Sequence, residues 1–293
     1  MSHDEQSHDH DLGFAHDLPR MIGRRPLLTL MGGIGLVSIT GGAAAALECV
    51  ALPWETAGPY PADGTNRKDG QMVNALTQDG VIRQDLRNSF GSMTPVADGA
   101  ELELELTLLD ADGCTPLEGF AIYLWHCDTV GRYSLYDIAD ANYLRGVGVA
   151  DAEGKVRFTT IFPGCYDGRW PHMHFEVFKS VEAAVSGKAS VLTAQIAMRE
   201  GESAALYAAD RRYSNGGENL ERVTLESDMV FSDNSAEALA QQTMRVSGDG
   251  VVGYLGSVTI AVDLTAERST GNMPDGPPPG GFPGGQPPAP PRG

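Results

Sequence analysis

Residues 101–109 read Glu-Leu-Glu-Leu-Glu-Leu-Thr-Leu-Leu, an alternation that a helix cannot use. A period of two puts Leu102, Leu104, Leu106 and Leu108 on one face and the glutamates on the other, as in a half-buried strand. Further strands are expected over residues 120–127, 155–160, 172–178, 191–198, 221–225 and 251–264, separated by turn sequences such as Asp110-Ala111-Asp112-Gly113. That Asp-x-Asp-Gly reads as a turn, not a calcium loop. Few stretches hold a 3.6-residue period, and one short helix is expected over residues 236–242. The pattern predicts an all-β fold, an antiparallel β-sandwich core with long loops and few short helices.

The two ends are set apart from this core. Arg24-Arg25 precede Pro26-Leu27-Leu28-Thr29-Leu30-Met31 and a glycine-punctuated apolar run ending at Ala43-Ala44-Ala45-Ala46. This is the form of a twin-arginine signal peptide, too diluted by Gly32, Gly33, Gly35, Gly41 and Gly42 for a retained membrane anchor. The chain is therefore expected to use the twin-arginine export machinery and to reside in the periplasm or outside the cell. The arm ahead of the arginines carries His3, His8, His10 and His16 and reads as leader rather than metal site. At the other end, 9 of the 18 prolines fall in residues 271–293, so this tail is expected to be disordered. Residues 1–46 are thus assigned to the leader, 47–268 to one β-sandwich domain and 269–293 to the tail.

Composition narrows the function. With 21 Lys+Arg against 39 Asp+Glu the net charge is −18, which excludes a nucleic-acid backbone binder, and the single apolar run excludes a multi-span membrane protein. Cys49, Cys114, Cys127 and Cys165 contain no Cys-x-x-Cys spacing, so one or two disulfides are expected rather than a zinc knuckle, with the pairing open.

Beyond the N-terminal arm the histidines are His126, His172 and His174. On a strand, His172 and His174 share a face, a spacing suited to two adjacent ligands of one metal. Glu176 lies on the same face and would complete an Fe(II) facial triad. Upstream, Pro163-Gly164 turn the chain to present Tyr166 six residues before His172, and Tyr133 follows Gly131-Arg132 after the strand ending Trp125-His126-Cys127-Asp128. Two phenolates with two imidazoles would favour the harder Fe(III).

With these pieces in view, the chain resembles the intradiol ring-cleavage dioxygenases, which include the catechol and protocatechuate dioxygenases. The likeness runs roughly over residues 55–264. It rests on Glu55-Thr56-Ala57-Gly58-Pro59-Tyr60, Trp125-His126-Cys127-Asp128 with Gly131-Arg132-Tyr133, Tyr143-Leu144-Arg145-Gly146, Leu192-Thr193-Ala194-Gln195, and above all Pro163-Gly164-x-Tyr166-x-x-Arg169-x-x-His172-x-His174. The resemblance implies one Fe(III) per chain held by Tyr133, Tyr166, His172 and His174, with Tyr166 released when substrate binds and acting as a base. It implies that Arg169, assisted by Gln195, stabilises the activated catecholate, and that Gly58 and Pro59 lie over the substrate pocket. His126 would sit beside the metal, and Trp170 would cover the strand.

The implied reaction is cleavage of a catechol-type ring between its two hydroxyl-bearing carbons by O2, giving a cis,cis-muconate-type diacid. The substrate could be a catechol, a hydroxyquinol or a lignin-derived diol. The stretch 47–99 is too short and turn-rich for the family's full helical dimerisation segment, so the subunit count is open, a homo-oligomer included. Two other readings compete: an exported β-sandwich binding module without turnover, and a cupin-like Fe(II) oxygenase using His172, His174 and Glu176.

Overall fold

The computed structural model describes residues 49–267. The expected leader over 1–46 and tail over 269–293 lie outside the described residues. The strands, numbered in chain order, are β1 (Asp63–Lys68), β2 (Gln71–Asn74), β3 (Glu101–Asp110), β4 (Thr115–Pro116), β5 (Ala121–Trp125), β6 (Arg145–Val149), β7 (Lys155–Ile161), β8 (His172–Phe178), β9 (Leu192–Ala197), β10 (Arg245–Asp249) and β11 (Gly253–Val262). The helices are α1 (Val181–Val185), α2 (Glu200–Ala209), α3 (Gly216–Leu220) and α4 (Ala236–Gln242), with a 3₁₀ turn at Arg211–Tyr213. Among the described residues no helix is long and apolar enough to cross a membrane.

One sheet runs β10-β11-β3-β4, with β7 on β3; a second runs β6-β5-β8-β9, and β1 and β2 pair as a separate two-stranded ribbon. The alternation of β3 decides how the first sheet packs. Leu102, Leu104, Leu106 and Leu108 are buried, and Glu101, Glu103 and Glu105 face outward. On that outer face Glu105 pairs with Lys155 and Arg157 of β7. The leucines meet Val156 and Phe158 of β7, Ile122 and Leu124 of β5, Met173, Phe175 and Val177 of β8, and Ile260 and Val262 of β11 in one core between the sheets. Each buried leucine contributes about 2 kcal/mol.

The second sheet is buried on both faces. The face of β5 that carries Tyr123 and Trp125 is covered by Ala62, Ala75, Leu76, Phe90, Tyr133 and Tyr136, and by Ala183 and Ala184 of α1. Loops roof that face, and the roof is what creates room for a site. A disulfide, Cys49–Cys114, ties the start of the described chain to the turn after β3, while Cys127 and Cys165 are buried free thiols.

No expected element covers β1, β2, β4, β6, β10, α1 or α3, and three further details differ from the expectation. Residues 221–225 form consecutive turns, not a strand: Val223 N donates to Leu220 O and Thr224 N to the Ser227 hydroxyl. The apolar spacing there, Leu220 to Val223, follows a helical turn that docks on the core. Second, β11 lies parallel to β3, from Tyr254↔Leu102 to Val262↔Asp110, because strands so far apart in the chain are not bound to a hairpin's antiparallel sense. Third, α2 was not foreseen, since its Glu-Gly-Glu-Ser-Ala-Ala-Leu-Tyr-Ala-Ala run buries only Ser203, Leu206 and Tyr207 and so shows little periodicity. The short helix over 236–242 is present as α4.

Candidate metal centre and ring-cleavage site

The period of two along β8 sends Met173, Phe175 and Val177 into the core and leaves His172, His174 and Glu176 on the roofed face. Cross-strand register then builds a row: His174 of β8 is partnered by Trp125 of β5 on one side and by Gln195 of β9 on the other. Trp125 stacks on the His174 ring, centroids 5.1 Å apart and 7° from parallel.

Both tyrosines arrive from loops that a short polar network shapes. Asp128 Oδ1 accepts from Val130 N and Arg132 N, closing the turn that delivers Tyr133. Gly164 N donates to Asp128 O, so the loop carrying Tyr166 is tied to the loop carrying Tyr133. Gly131, at φ 88°, lies where an added Cβ would be 2.6 Å from Tyr166 Cβ, so only glycine lets the loops approach this closely. Tyr207 Oη donates to Pro163 O and Asn219 Nδ2 to Cys165 O, supporting the second loop from the helical side.

The donor atoms converge. His172 Nε2 and His174 Nε2 are 3.1 Å apart, and Tyr166 Oη is 3.1 Å from His172 Nε2. Tyr133 packs edge-on against both Tyr166 and His174, with ring centroids 6.1 Å apart in each case. Its hydroxyl is buried without a well-formed hydrogen bond among the described residues. His172 Nδ1 donates to Trp170 O, which leaves its Nε2 lone pair pointing into the cluster. Burial pushes His172 and His174 well below the ordinary imidazole range, so both are neutral.

Burial also drives the Tyr133 and Tyr166 phenols up, although Arg169 pulls the other way on each. A phenolate here needs a cation beside it. Two neutral imidazoles, two phenols that ionise only against positive charge, and nitrogens 3.1 Å apart form a set that fits a metal ion. Two donors adjacent on one ion at about 2.1 Å each are spaced this way. Among the described residues no three His, Cys, Asp or Glu side chains group as a metal site. Glu176 instead accepts from Thr193 Oγ1 and faces Tyr123 across the strands, so the Fe(II) triad of His172, His174 and Glu176 is not favoured.

Behind the donors lies a second polar network. Arg169 Nε donates to Asp228 Oδ2 at 2.9 Å and Nη2 to Gln195 Oε1 at 2.7 Å. Gln195 Nε2 donates to Thr56 O, and Gln195 N to Glu55 Oε2. The Glu55 carboxyl also accepts from Asn234 and Gln242, yet burial raises its pKa to about 7. The segment after Glu55 thereby lies over the site. Gly58, at φ 70°, places an imagined Cβ 3.2 Å from His174 Cε1, and Tyr60 packs on Tyr133 and Tyr136 at 5.0 Å. Pro59 presents its carbonyl to Asn66 Nδ2. Arg145, fully buried, donates to Pro61 O, Tyr123 Oη and both Ser134 oxygens, fastening the roof to the Tyr133 loop.

The structure thus brings together Tyr133, Tyr166, His172, His174, Arg169 and Gln195, with Gly58 against His174. His126 stands apart, its Nδ1 on Cys127 O and its Nε2 on Thr160 Oγ1, with burial lowering its pKa to about 4. Trp170 covers the strand and donates Nε1 to Met198 O. Sequence reasoning passed over Asp228 and Arg145. Asp228 sits in a segment with no motif. Arg145 lies inside one of the resembling segments, but no spacing hinted that its charge would be buried.

A family model described as Dioxygenase matches residues 77–185, which hold both tyrosines, Arg169 and both histidines. The chain is 34% identical over 73 residues to a catechol 1,2-dioxygenase of Pseudomonas sp. (strain EST1001), covering 25% of this chain and 24% of that protein, so the match spans about a quarter of the relative. An intradiol ring-cleavage dioxygenase from Tetranychus urticae superimposes with a TM-score of 0.56 at 21% identity, covering 75% of this chain and 98% of that one. The structural likeness establishes the fold. The sequence matches are local, over residues 77–185 for the family model and over 73 residues for the catechol 1,2-dioxygenase.

Proposed function

We propose that this protein is a non-haem Fe(III) dioxygenase that opens a catechol-type ring between its two hydroxyl-bearing carbons and yields a cis,cis-muconate-type diacid. The observation that carries this reading is the convergence of Tyr166 Oη, His172 Nε2 and His174 Nε2, at 3.1 Å spacings, beside the buried Tyr133 hydroxyl. Tyr133, Tyr166, His172 and His174 would hold the ion. Bound Fe(III) would act as the Lewis acid that chelates the diol and opens its ring to attack by O2. Both oxygen atoms end in the product, so no external reductant is consumed.

The chain's own groups prepare that chemistry. Tyr166 Oη, as phenolate, is placed to take one proton from the diol. Arg169 supplies a fixed positive charge beside the site, and Gln195 holds its Nη2. The roof from Glu55 to Tyr60 and the aromatic wall of Tyr60, Trp125 and Tyr136 exclude water from the reacting ring. Export by the twin-arginine machinery to the periplasm or beyond belongs to the same proposal and rests on the Arg24-Arg25 leader.

The test is the visible absorption spectrum of the purified protein, with metal analysis, before and after anaerobic addition of catechol. Tyrosinate on Fe(III) gives a burgundy charge-transfer band, which is expected to move to longer wavelength with catechol. A protein still colourless after ferric reconstitution would remove the dioxygenase reading.

A further inference from the structure

Asp228 lies 59 residues beyond Arg169 in sequence and is completely enclosed. Four N–H groups converge on its carboxylate. Arg169 Nε at 2.9 Å and Trp170 N at 2.7 Å reach Oδ2; Val230 N at 2.9 Å and Phe231 N at 3.3 Å reach Oδ1. Four donors suit only the ionised form, because a protonated acid or an amide would turn a hydrogen toward one of them. Asp228 is therefore an immobile anion. Two of its bonds go to adjacent residues, Arg169 and Trp170, so it sets the backbone and the guanidinium plane together.

Arg169 is gripped along one edge. Asp228 takes Nε and Gln195 Oε1 takes one Nη2 hydrogen, so both Nη1 hydrogens, with the second on Nη2, remain to donate from the opposite edge. Arg169 N donates to Tyr166 O, and Gln195, which takes Nη2, is the cross-strand partner of His174, so the guanidinium lies beside the donor cluster. A guanidinium on a long stem would otherwise sample many rotamers, and a misplacement of about 1 Å costs about 100-fold in rate.

We propose that Asp228 is a positioning residue that aims Arg169, so that Nη1 meets the negative charge developing on the bound ring. The proposal rests on the intradiol reading for its consequence, but the aiming itself is a property of the fold. It assigns a role to a segment, residues 228–231, that lies outside the matched dioxygenase region.

The test compares crystal structures and steady-state kinetics of the wild-type ferric protein and Asp228→Asn. The expected result is an Arg169 guanidinium that leaves its wild-type plane while Tyr133, Tyr166, His172 and His174 superimpose. Catechol turnover should fall by about 100-fold in kcat, with KM changed far less. In an Arg169→Lys background, where no guanidinium remains to be aimed, the same Asp228→Asn step should cost less than about twofold. Should Asp228→Asn not fold, Asp228→Glu keeps the charge and displaces it by one methylene, with the same expectations. An unmoved guanidinium, or equal losses in both backgrounds, overturns the proposal. If the wild-type protein cleaves no catechol, that result counts against the function, and the crystallographic comparison alone decides the aiming.

Discussion

The indole of Trp125 and the imidazole of His174 lie face to face, 7° from parallel and 5.1 Å apart, on adjacent strands in direct register. The indole is buried and its Nε1 has no hydrogen-bond partner among the described residues, so packing is its whole contribution. A flat ring laid on the His174 ring restrains that ring's rotation without touching its nitrogens. Trp125→Leu is expected to cost about 3 kcal/mol of stability, a cavity effect. It should also weaken metal retention by about 10-fold or more, as loss of a group that orients a ligand does. Chemical denaturation and iron per chain after dialysis against a chelator measure the two effects; unchanged iron content would show that the stack does not orient His174.

Glu55 predicts an unusual pH dependence. Its carboxyl titrates near the ordinary 4.5 in the unfolded chain and at about 7 in the folded protein, chiefly because burial penalises its charge. The folded state thus holds a proton that the unfolded chain has released between those values. Stability from this group should fall as pH rises from about 4.5 to 7, by about 3 kcal/mol in all. Glu55→Gln cannot ionise, so its stability relative to wild type should improve over that interval. Urea unfolding at pH 5 and pH 7.5 measures it, and parallel changes in the two proteins would show that the three hydrogen bonds outweigh burial.

Gly58 and Gly70 form a matched pair. Both have positive φ, 70° and 79°, but an added Cβ at Gly58 comes 3.2 Å from His174 whereas at Gly70 it meets nothing within 4 Å. Each alanine substitution should cost about 1 kcal/mol in backbone strain. Only Gly58→Ala should also press on His174, which would shift the ferric charge-transfer band and weaken catechol binding. Identical spectra for the two variants would mean that the roof yields instead of the histidine.

Much of the site could be read along the chain because three of its four candidate donors, Tyr166, His172 and His174, lie on one strand or in the loop just before it. The alternation of β8 put His172 and His174 on one face, and Tyr166 stands within the same short block. Tyr133 and Gln195 were legible through the segments around them. The sandwich, too, follows from the period of two in β3, which cannot be satisfied without a second layer over its leucines. The strand expected over 221–225 failed because a short apolar run carries no information about whether a partner strand is available.

Local pattern by itself therefore determined the long core strands, their buried faces and most of the candidate residue types, since these depend on neighbours two to ten positions away. Tertiary structure alone decided the supporting charges. Asp228 reaches Arg169, Glu55 reaches Gln195, and Arg145 links Pro61 to Ser134 only after the sheets have closed. The physical reason is that a buried charge is stable only where its partners are assembled around it, and those partners come from segments 11 to 140 residues apart.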